Sequence, residues 1–143
     1  RTCGLYGEPG GAGKPSIVET LCAKAQAGQG LRMRADLRCT PTRVADLAEA
    51  AMALVAAGAT GTVHATNSGA CTWHEFAVEL VRLLGAAVPV EAVDGRAFPQ
   101  SSPRPSNSVM VSRRLAGWGV APLPPWQNAL ARHLESRQTN ARA

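Results

Sequence analysis

The sequence predicts an α/β fold, because short apolar strand patterns alternate along it with amphipathic helix patterns. Its 143 residues are the length of one domain, or of a large part of one. Roughly four short strands can be recognised, which is too few for a complete doubly wound sheet. The chain also opens without methionine, on a short strand that runs into Gly7. We therefore expect a fragment whose remaining strands lie upstream.

The first third of the chain contains two helices and one intervening strand. Ser16 is the predicted N-cap of the first helix, with Glu19 completing a capping box and Gly28 ending the helix. Residues 31–35 alternate as a half-buried strand. Thr42 is the predicted N-cap of the second helix. An apolar stripe of the kind that helices turn towards a core runs along this helix through Val44, Leu47, Ala48, Ala51, Leu54 and Val55.

The clearest helix begins at Thr72, where Glu75 completes a second capping box, and ends at Gly85. Its apolar stripe comprises Phe76, Ala77, Leu80, Val81 and Leu84. The other expected elements are strands at 61–66 and 88–93, a proline-rich loop at 95–107, an extended piece at 108–111, a brief helix at 112–117 and a last helix from 124. We expect the domain to span residues 1–137 and a disordered tail to occupy 138–143.

Composition excludes several classes of protein. The net charge is +5, but the basic residues are scattered and form no block with interleaved aromatics, so we expect no nucleic-acid partner. Attraction to an anionic small substrate fits the charge equally well. The absence of an 18-residue apolar run predicts no membrane-spanning helix, and we expect a cytoplasmic protein. No C-x-x-C pair joins the four cysteines, which indicates free thiols and no zinc site.

Known catalytic motifs are missing from this stretch. Residues 8–14 superficially suggest a phosphate-binding loop, but Glu8 stands where the first glycine is required and Pro15 where serine or threonine is required. No dinucleotide fingerprint G-x-G-x-x-G occurs either. Arg104 is the strongest candidate on physical grounds, because flanking prolines restrict its backbone and its guanidinium suits a bidentate phosphate contact. An exposed, solvated arginine is the alternative.

Four segments together resemble the dTDP-4-dehydrorhamnose reductases. Residues 1–7 are similar to the family's R-T-S-W-L-Y-G, and residues 36–48 to D-Q-x-G-x-P-T followed by x-D-L-A. Residues 63–77 are similar to Y-H-x-x-N-x-G and [ST]-W-x-E-F-A, while residues 104–126 resemble R-P-x-x-S followed by L-P-x-W. Each segment is weak alone, but their order and spacing match over roughly 135 residues, which makes the resemblance specific.

This resemblance implies a fold and a reaction. The chain would be the C-terminal part of an NAD(P)-binding, Rossmann-like extended short-chain dehydrogenase, including its smaller substrate-binding subdomain. The family reduces the C4 ketone of dTDP-4-dehydro-L-rhamnose with NADPH, while a tyrosine with a lysine four residues on supplies the proton. These catalytic residues would lie upstream, so none is assigned here. The resemblance also allows NADH as cofactor, a homodimer of the full-length protein, and Mg²⁺ at the dimer interface.

The resemblance assigns four residues of this chain to binding. Thr2 and Cys3 would approach the nicotinamide, while Gly4 and Arg104 would contact the dTDP-sugar. Gly4 stands where the family commonly has a substrate-contacting tryptophan, so an aromatic wall is missing. In the 36–42 loop, Leu37 and Cys39 replace the family's usual glutamine and glycine.

The sequence is compatible with three functions. The first is the substrate-binding half of an NADPH-dependent reductase, which we expect to be inactive without its other half. The second is a non-catalytic, reductase-like regulatory or binding subunit. The third is another extended short-chain enzyme, such as a sugar-nucleotide epimerase or a different 4-ketoreductase.

Overall fold

A computed structural model describes residues 1–7, 15–95 and 105–140, and it confirms the α/β fold. Its described strands contain only two to four residues each, whereas the four described α-helices contain 10 to 15 residues each. In chain order the elements are β1 (Leu5–Tyr6), α1 (Ile17–Gln26), β2 (Leu31–Arg34), β3 (Arg38–Cys39), β4 (Thr42–Arg43), α2 (Val44–Ala56), β5 (Cys71–Thr72), α3 (Trp73–Leu84), β6 (Val90–Val93), β7 (Asn107–Ser108) and α4 (Trp126–Asn140). None of these described helices combines the length and apolar character needed to cross a membrane.

The described strands form three small sheets. Strand β1 pairs in parallel with β4, and β2 pairs in parallel with β6. The third sheet has the order β5-β3-β7, in which β3 runs antiparallel to β5 and parallel to β7. This third sheet brings together three chain segments that are far apart in sequence.

Helix α3 forms the centre of the main core. Phe76, Ala77 and Leu80 are fully buried, as the apolar spacing predicts, and they pack with residues of α1, β2 and α4. The predicted capping box is present at the start of the helix. Thr72 Oγ1 accepts from Glu75 N at 3.1 Å, and Glu75 Oε2 accepts from Thr72 N at 2.7 Å. Gly85 ends the helix in the left-handed conformation at φ 63°.

Helix α2 starts one residue later than predicted. Arg43 is its N-cap, and Thr42 lies in β4 with its hydroxyl donating to the Thr40 carbonyl at 3.1 Å. At α1, Ser16 caps the helix as predicted by accepting from Glu19 N. The Glu19 carboxylate instead pairs with Arg137 of α4 at 2.7 Å, so it ties two helices together.

Three other expectations differ from the structure. Residues 61–66 contain no assigned strand, although Ala65 N donates to the Arg1 carbonyl at 3.0 Å. In place of the predicted 112–117 helix, the structure has a single 3₁₀ turn at Ala116–Trp118. Helix α4 continues to Asn140, so residues 138–140 are helical where a disordered tail was predicted. Residues 141–143 lie outside the described part of the chain.

One apolar face of α2 is exposed. Leu47, Ala50 and Leu54 pack into a second, smaller core with Leu115 and Val120. The neighbouring face carries Val44, Ala48, Ala51, Met52 and Val55, and all of these are exposed, Met52 by 70% and Val55 by 74%. We call this second surface the open face of α2. The predicted apolar stripe is therefore only partly buried by the described residues.

The open face predicts a small effect of polar substitution in this chain. Met52→Ser with Val55→Ser should change the free energy of unfolding by less than about 1 kcal/mol in total, because neither side chain loses buried contacts. Leu47→Ser on the packed face is the matched control and should cost about 1–3 kcal/mol. Urea unfolding of the three chains measures both values. Equal losses at the two faces would contradict this assignment of the packed side.

Candidate functional site

A cavity of about 270 Å³ lies where the third sheet meets the opening segment of the chain. Gly4 and Leu37 line it together with Cys39 of β3, and Trp73 lines it from the first residue of α3. Arg38, Pro105 and Ser108 are the other described residues of the lining. Each of these residues comes from one of the four sequence segments singled out above. We call this cavity the sheet-edge pocket.

A buried threonine holds the walls of the sheet-edge pocket together. Thr40 is fully buried, and its carbonyl accepts from Cys3 Sγ at 3.4 Å. Its hydroxyl donates to the Met110 carbonyl at 3.3 Å and accepts from Met110 N at 3.1 Å. The opening segment, β3 and the chain that follows β7 are thereby fixed relative to one another.

Gly4 occupies a backbone position that suits only glycine. Its φ is 59°, in the left-handed region that residues with a Cβ rarely adopt. A Cβ at this position would lie 2.8 Å from the Thr40 carbonyl oxygen and 3.0 Å from Pro41 Cα, both of them backbone atoms. The missing aromatic wall is therefore accompanied by a local conformation that admits no side chain. Trp73 remains as the aromatic group that lines the pocket.

Thr2 and Cys3 lie directly beside the pocket wall, and neither carries charge. Burial raises the pKa of the Cys3 thiol, so the thiol stays protonated while it bonds to the Thr40 carbonyl. The Thr2 hydroxyl oxygen is buried and has no hydrogen-bond partner among the described residues. Small neutral side chains of this kind fit a place beside an uncharged ring. They offer no group that would hold a phosphate.

Asp36 belongs to the frame of the site. Arg34 donates to both of its carboxylate oxygens, at 2.7 and 2.6 Å, and Gly95 N donates to the same carboxylate at 3.2 Å. The hydrogen bonds from Arg34 lower the pKa of Asp36 to about 2. This carboxylate therefore ties the end of β2 to the segment after β6, in the described part of the chain.

Asp46 and Asn67 form a buried clamp that sequence reasoning did not identify. Asn67 Nδ2 donates to Asp46 Oδ2 at 2.8 Å and to the Pro124 carbonyl at 3.0 Å, while Asn67 Oδ1 accepts from Arg43 N at 2.8 Å. Arg132 of α4 donates to Asp46 Oδ2 at 2.7 Å. These two motif residues hold the second, third and fourth segments in place. The available signal was Asp46 itself, one of two acidic residues in a largely apolar helix.

Tyr6 is a core residue in this structure. Its ring packs edge-on against Phe76 at 5.5 Å between centroids, and burial raises the pKa of its phenol above the usual value. No lysine stands four residues after it, because position 10 is glycine. This tyrosine therefore does not match the proton-donating pair of the reductases.

The described residues do not test the role of Arg104, and they do not support a Mg²⁺ site. Arg104 lies outside them, and only its sequence neighbour Pro105 is seen to line the sheet-edge pocket. Within residues 1–7, 15–95 and 105–140, no group of three or more His, Cys, Asp or Glu side chains could hold a metal ion. The Mg²⁺ suggested by the resemblance therefore lacks support.

Several curated relatives of this chain are bacterial proteins named as reductases of dTDP-linked sugars. It is 39% identical to a "Probable dTDP-4,6-dihydroxy-2-methyloxan-3-one 4-ketoreductase" of Streptomyces antibioticus, over 91% of this chain and 43% of the relative. It is 38% identical to a dTDP-4-dehydrorhamnose reductase of Mycobacterium tuberculosis, over 92% of this chain and 43% of the relative. The chain thus spans less than half the length of the curated relatives it matches.

Solved structures give the same answer for the fold. A dTDP-4-dehydrorhamnose reductase from Bacillus anthracis, in complex with NADP, matches with a TM-score of 0.87 at 29% identity, over 95% of this chain and 47% of that one. A UDP-glucose 4-epimerase from Thermotoga maritima matches with a TM-score of 0.75 at 13% identity, over 99% of this chain and 45% of that one, which shows shared fold alone. The model of the RmlD substrate binding domain matches residues 1–139. This chain is therefore a member of the RmlD substrate binding domain family.

Proposed function

We propose that this chain is the sugar-nucleotide-binding half of an NADPH-dependent reductase that converts dTDP-4-dehydro-L-rhamnose to dTDP-L-rhamnose. The observation that carries the proposal is the sheet-edge pocket, which gathers residues of all four family-like segments around one cavity. The names of the relatives support the sugar nucleotide, and the NADP complex of the Bacillus anthracis structure supports the cofactor.

The sugar would lie against Gly4 and Trp73, and its diphosphate near Arg104. Leu37 is almost fully buried in the pocket wall, and Trp73 adds an aromatic surface, so an apolar sugar face is favoured there. Arg104 directly precedes Pro105 of the pocket wall, and a guanidinium can hold a diphosphate through two parallel hydrogen bonds. Charge and shape would thus be recognised at opposite ends of the substrate.

Thr2 and Cys3 would face the nicotinamide. When bound, the cofactor would supply the hydride for the ketone. The neutral Cys3 thiol and the small Thr2 side chain would border that ring without placing a competing charge beside the reacting carbon. The proton donor and its lysine would come from the cofactor-binding half that the longer relatives imply.

The open face of α2 is consistent with a second, cofactor-binding half that packs against this chain. Its five apolar side chains lie beside a core that is already packed, and the curated relatives are more than twice as long as the stretch they share with this chain. An apolar helix face is stable in water only at a cost, which packing against the cofactor-binding half would remove. We assign that half as the partner of the open face.

Activity of the complete coding region tests the proposal. A protein that contains this chain together with its upstream sequence should consume NADPH when dTDP-4-dehydro-L-rhamnose is added, whereas this chain alone should show no turnover. A complete protein that binds the dTDP-sugar without consuming NADPH would instead indicate a non-catalytic binding subunit. Sequencing upstream of Arg1 should show a glycine-rich loop and a Y-x-x-x-K pair.

Arg104→Ala should weaken nucleotide binding. Loss of a charge-assisted contact to phosphate costs about 1.5–3 kcal/mol, so the Kd for dTDP should rise about 10-fold to 150-fold in isothermal titration calorimetry. Arg113→Ala is the matched control, because Arg113 is an exposed arginine away from the pocket lining, and its Kd should stay within twofold. An equal effect of both substitutions would point to nonspecific charge attraction.

A second candidate is the reduction of a different dTDP-4-keto-6-deoxy sugar. The observation in its favour is the combination of Gly4 and Leu37, where the reductases commonly have tryptophan and glutamine. The Streptomyces antibioticus relative is named for such a different ketone. Initial rates of the complete protein with both ketones distinguish the candidates, since the preferred substrate should have the higher kcat/KM.

A further inference from the structure

Two cysteines face each other beside the sheet-edge pocket. Cys39 of β3 and Cys71 of β5 are directly opposed Cα partners in an antiparallel pair. Opposed residues in such pairs have Cα atoms about 4.5–5.5 Å apart, which lies within the range of about 4.4–6.8 Å found in disulfides. Both thiols are free and buried in the reduced chain. The backbone therefore already has the spacing that a covalent bridge requires.

The two thiols are chemically different. Interaction between the two thiols lowers the pKa of Cys39 and raises that of Cys71. A thiolate is the reactive form of cysteine, so Cys39 is the better nucleophile of the two. Cys39 also lines the sheet-edge pocket, while Cys71 lines a separate cavity with His74 and Trp126. A small oxidant can thus approach the pair from an open cavity.

We propose that Cys39 and Cys71 form a reversible disulfide when the protein meets a peroxide. The Cys39 thiolate would attack one peroxide oxygen, giving a sulfenic acid and hydroxide as the O–O bond breaks. The Cys71 sulfur would then attack the Cys39 sulfur, forming the S–S bond and releasing water. In sum, two thiols lose two electrons and two protons, and one hydrogen peroxide becomes two waters. Thiol reductants would restore the pair.

The bridge would act on the frame of the sheet-edge pocket. Strands β3 and β5 contain two residues each, so their pairing is short. Leu37 stands two residues before Cys39, and Trp73 two residues after Cys71. A disulfide would therefore fix the relative position of two residues that both line the pocket. This inference concerns the thiols themselves and does not depend on the proposed reaction.

Thiol counting and peptide mapping test the proposal on the 143-residue chain. After treatment with an equimolar amount of hydrogen peroxide and unfolding in denaturant, titratable thiols should fall from four to two. Digestion after alkylation should give one linked peptide pair that contains Cys39 and Cys71, and this pair should disappear after reduction. These measurements on the wild-type chain test the proposal even if a cysteine variant does not fold.

Variants separate this pair from the other thiols. Cys22→Ser should still form the bridge, because Cys22 is buried in the main core and lines neither cavity. Cys39→Ser and Cys71→Ser should form none. Retention of all four thiols, a bridge between Cys3 and Cys39, or a sulfinic acid at Cys39 without a bridge would each overturn the proposal.

Discussion

Phe76→Ala is expected to lower the free energy of unfolding by about 3–5 kcal/mol, the largest loss of any substitution considered for this chain. Phe76 is fully buried in the main core. Its ring contacts three other aromatic rings, with centroid distances of 5.5 Å to Tyr6, 5.6 Å to Trp73 and 5.7 Å to Trp126. Truncation would leave a cavity among β1, α3 and α4 and would remove the ring against which the pocket residue Trp73 packs.

Urea or guanidinium unfolding, followed by circular dichroism, measures this loss. Val78→Ala is the matched control on the same helix, because Val78 is 45% exposed, and it should cost less than about 1 kcal/mol. A loss at Phe76 no larger than that at Val78 would show that α3 is not the centre of the core. Phe76→Ala should also bind dTDP-L-rhamnose more weakly, since Trp73 would lose the ring against which it packs.

Asp46→Ala is expected to cost about 2–4 kcal/mol, because it removes the acceptor shared by two donors in a buried clamp. The Asp46 carboxylate is 4% exposed and accepts from Asn67 and Arg132. Breaking a buried ion pair is costly because the remaining donors, here on Asn67 and Arg132, lose their acceptor. The exposure of Arg132, at 37%, places the cost below that of a fully buried pair.

Glu49→Ala provides the control for Asp46. Glu49 is exposed on the same helix, three residues further on, so its loss should change the free energy of unfolding by less than about 0.5 kcal/mol. Asp46→Asn should recover part of the stability lost in Asp46→Ala, because its amide oxygen can still accept a hydrogen bond. Similar values for Glu49→Ala and Asp46→Ala would mean that the clamp contributes nothing measurable.

Helix α3 shows what the sequence could predict. Thr72 and Glu75 form the capping box that their spacing indicates, and Gly85 adopts the positive φ that ends the helix. Each of these signals is local, because it depends on hydrogen bonds within a few residues of chain. The family resemblance likewise rested on order and spacing, and the match to residues 1–139 confirms it.

Helix α2 shows what local sequence signals could not predict. Its stripe predicted burial for Val44 and Val55, which are exposed, and for Leu47 and Leu54, which pack partly into the second core. Hydrophobic periodicity reports that a face suits burial, but it cannot say which part of a protein covers that face. The prediction of a strand at 61–66 was wrong for a related reason. A strand is defined by hydrogen bonds to a neighbouring strand, and the described residues provide too few such bonds there.

The sequence pointed to part of the lining of the candidate site. The resemblance pointed to Gly4, and the structure places Gly4 in the sheet-edge pocket with Leu37 and Cys39, the two other departures from the family pattern. The binding roles of Thr2, Cys3, Gly4 and Arg104 stay predictions. The Asp46 clamp escaped prediction because its partners are 21 and 86 residues away along the chain, a separation that no spacing rule covers.

Binding of dTDP-L-rhamnose to the isotope-labelled chain, followed by NMR, tests the central claim most directly. The account predicts saturable shifts of the Gly4, Leu37 and Cys39 amides and of the Trp73 indole, while Met52 and Val55 on the open face of α2 stay unchanged. Absence of any saturable shift at the sheet-edge pocket, or shifts confined to residues elsewhere, would contradict the assignment of this pocket as the sugar-nucleotide site.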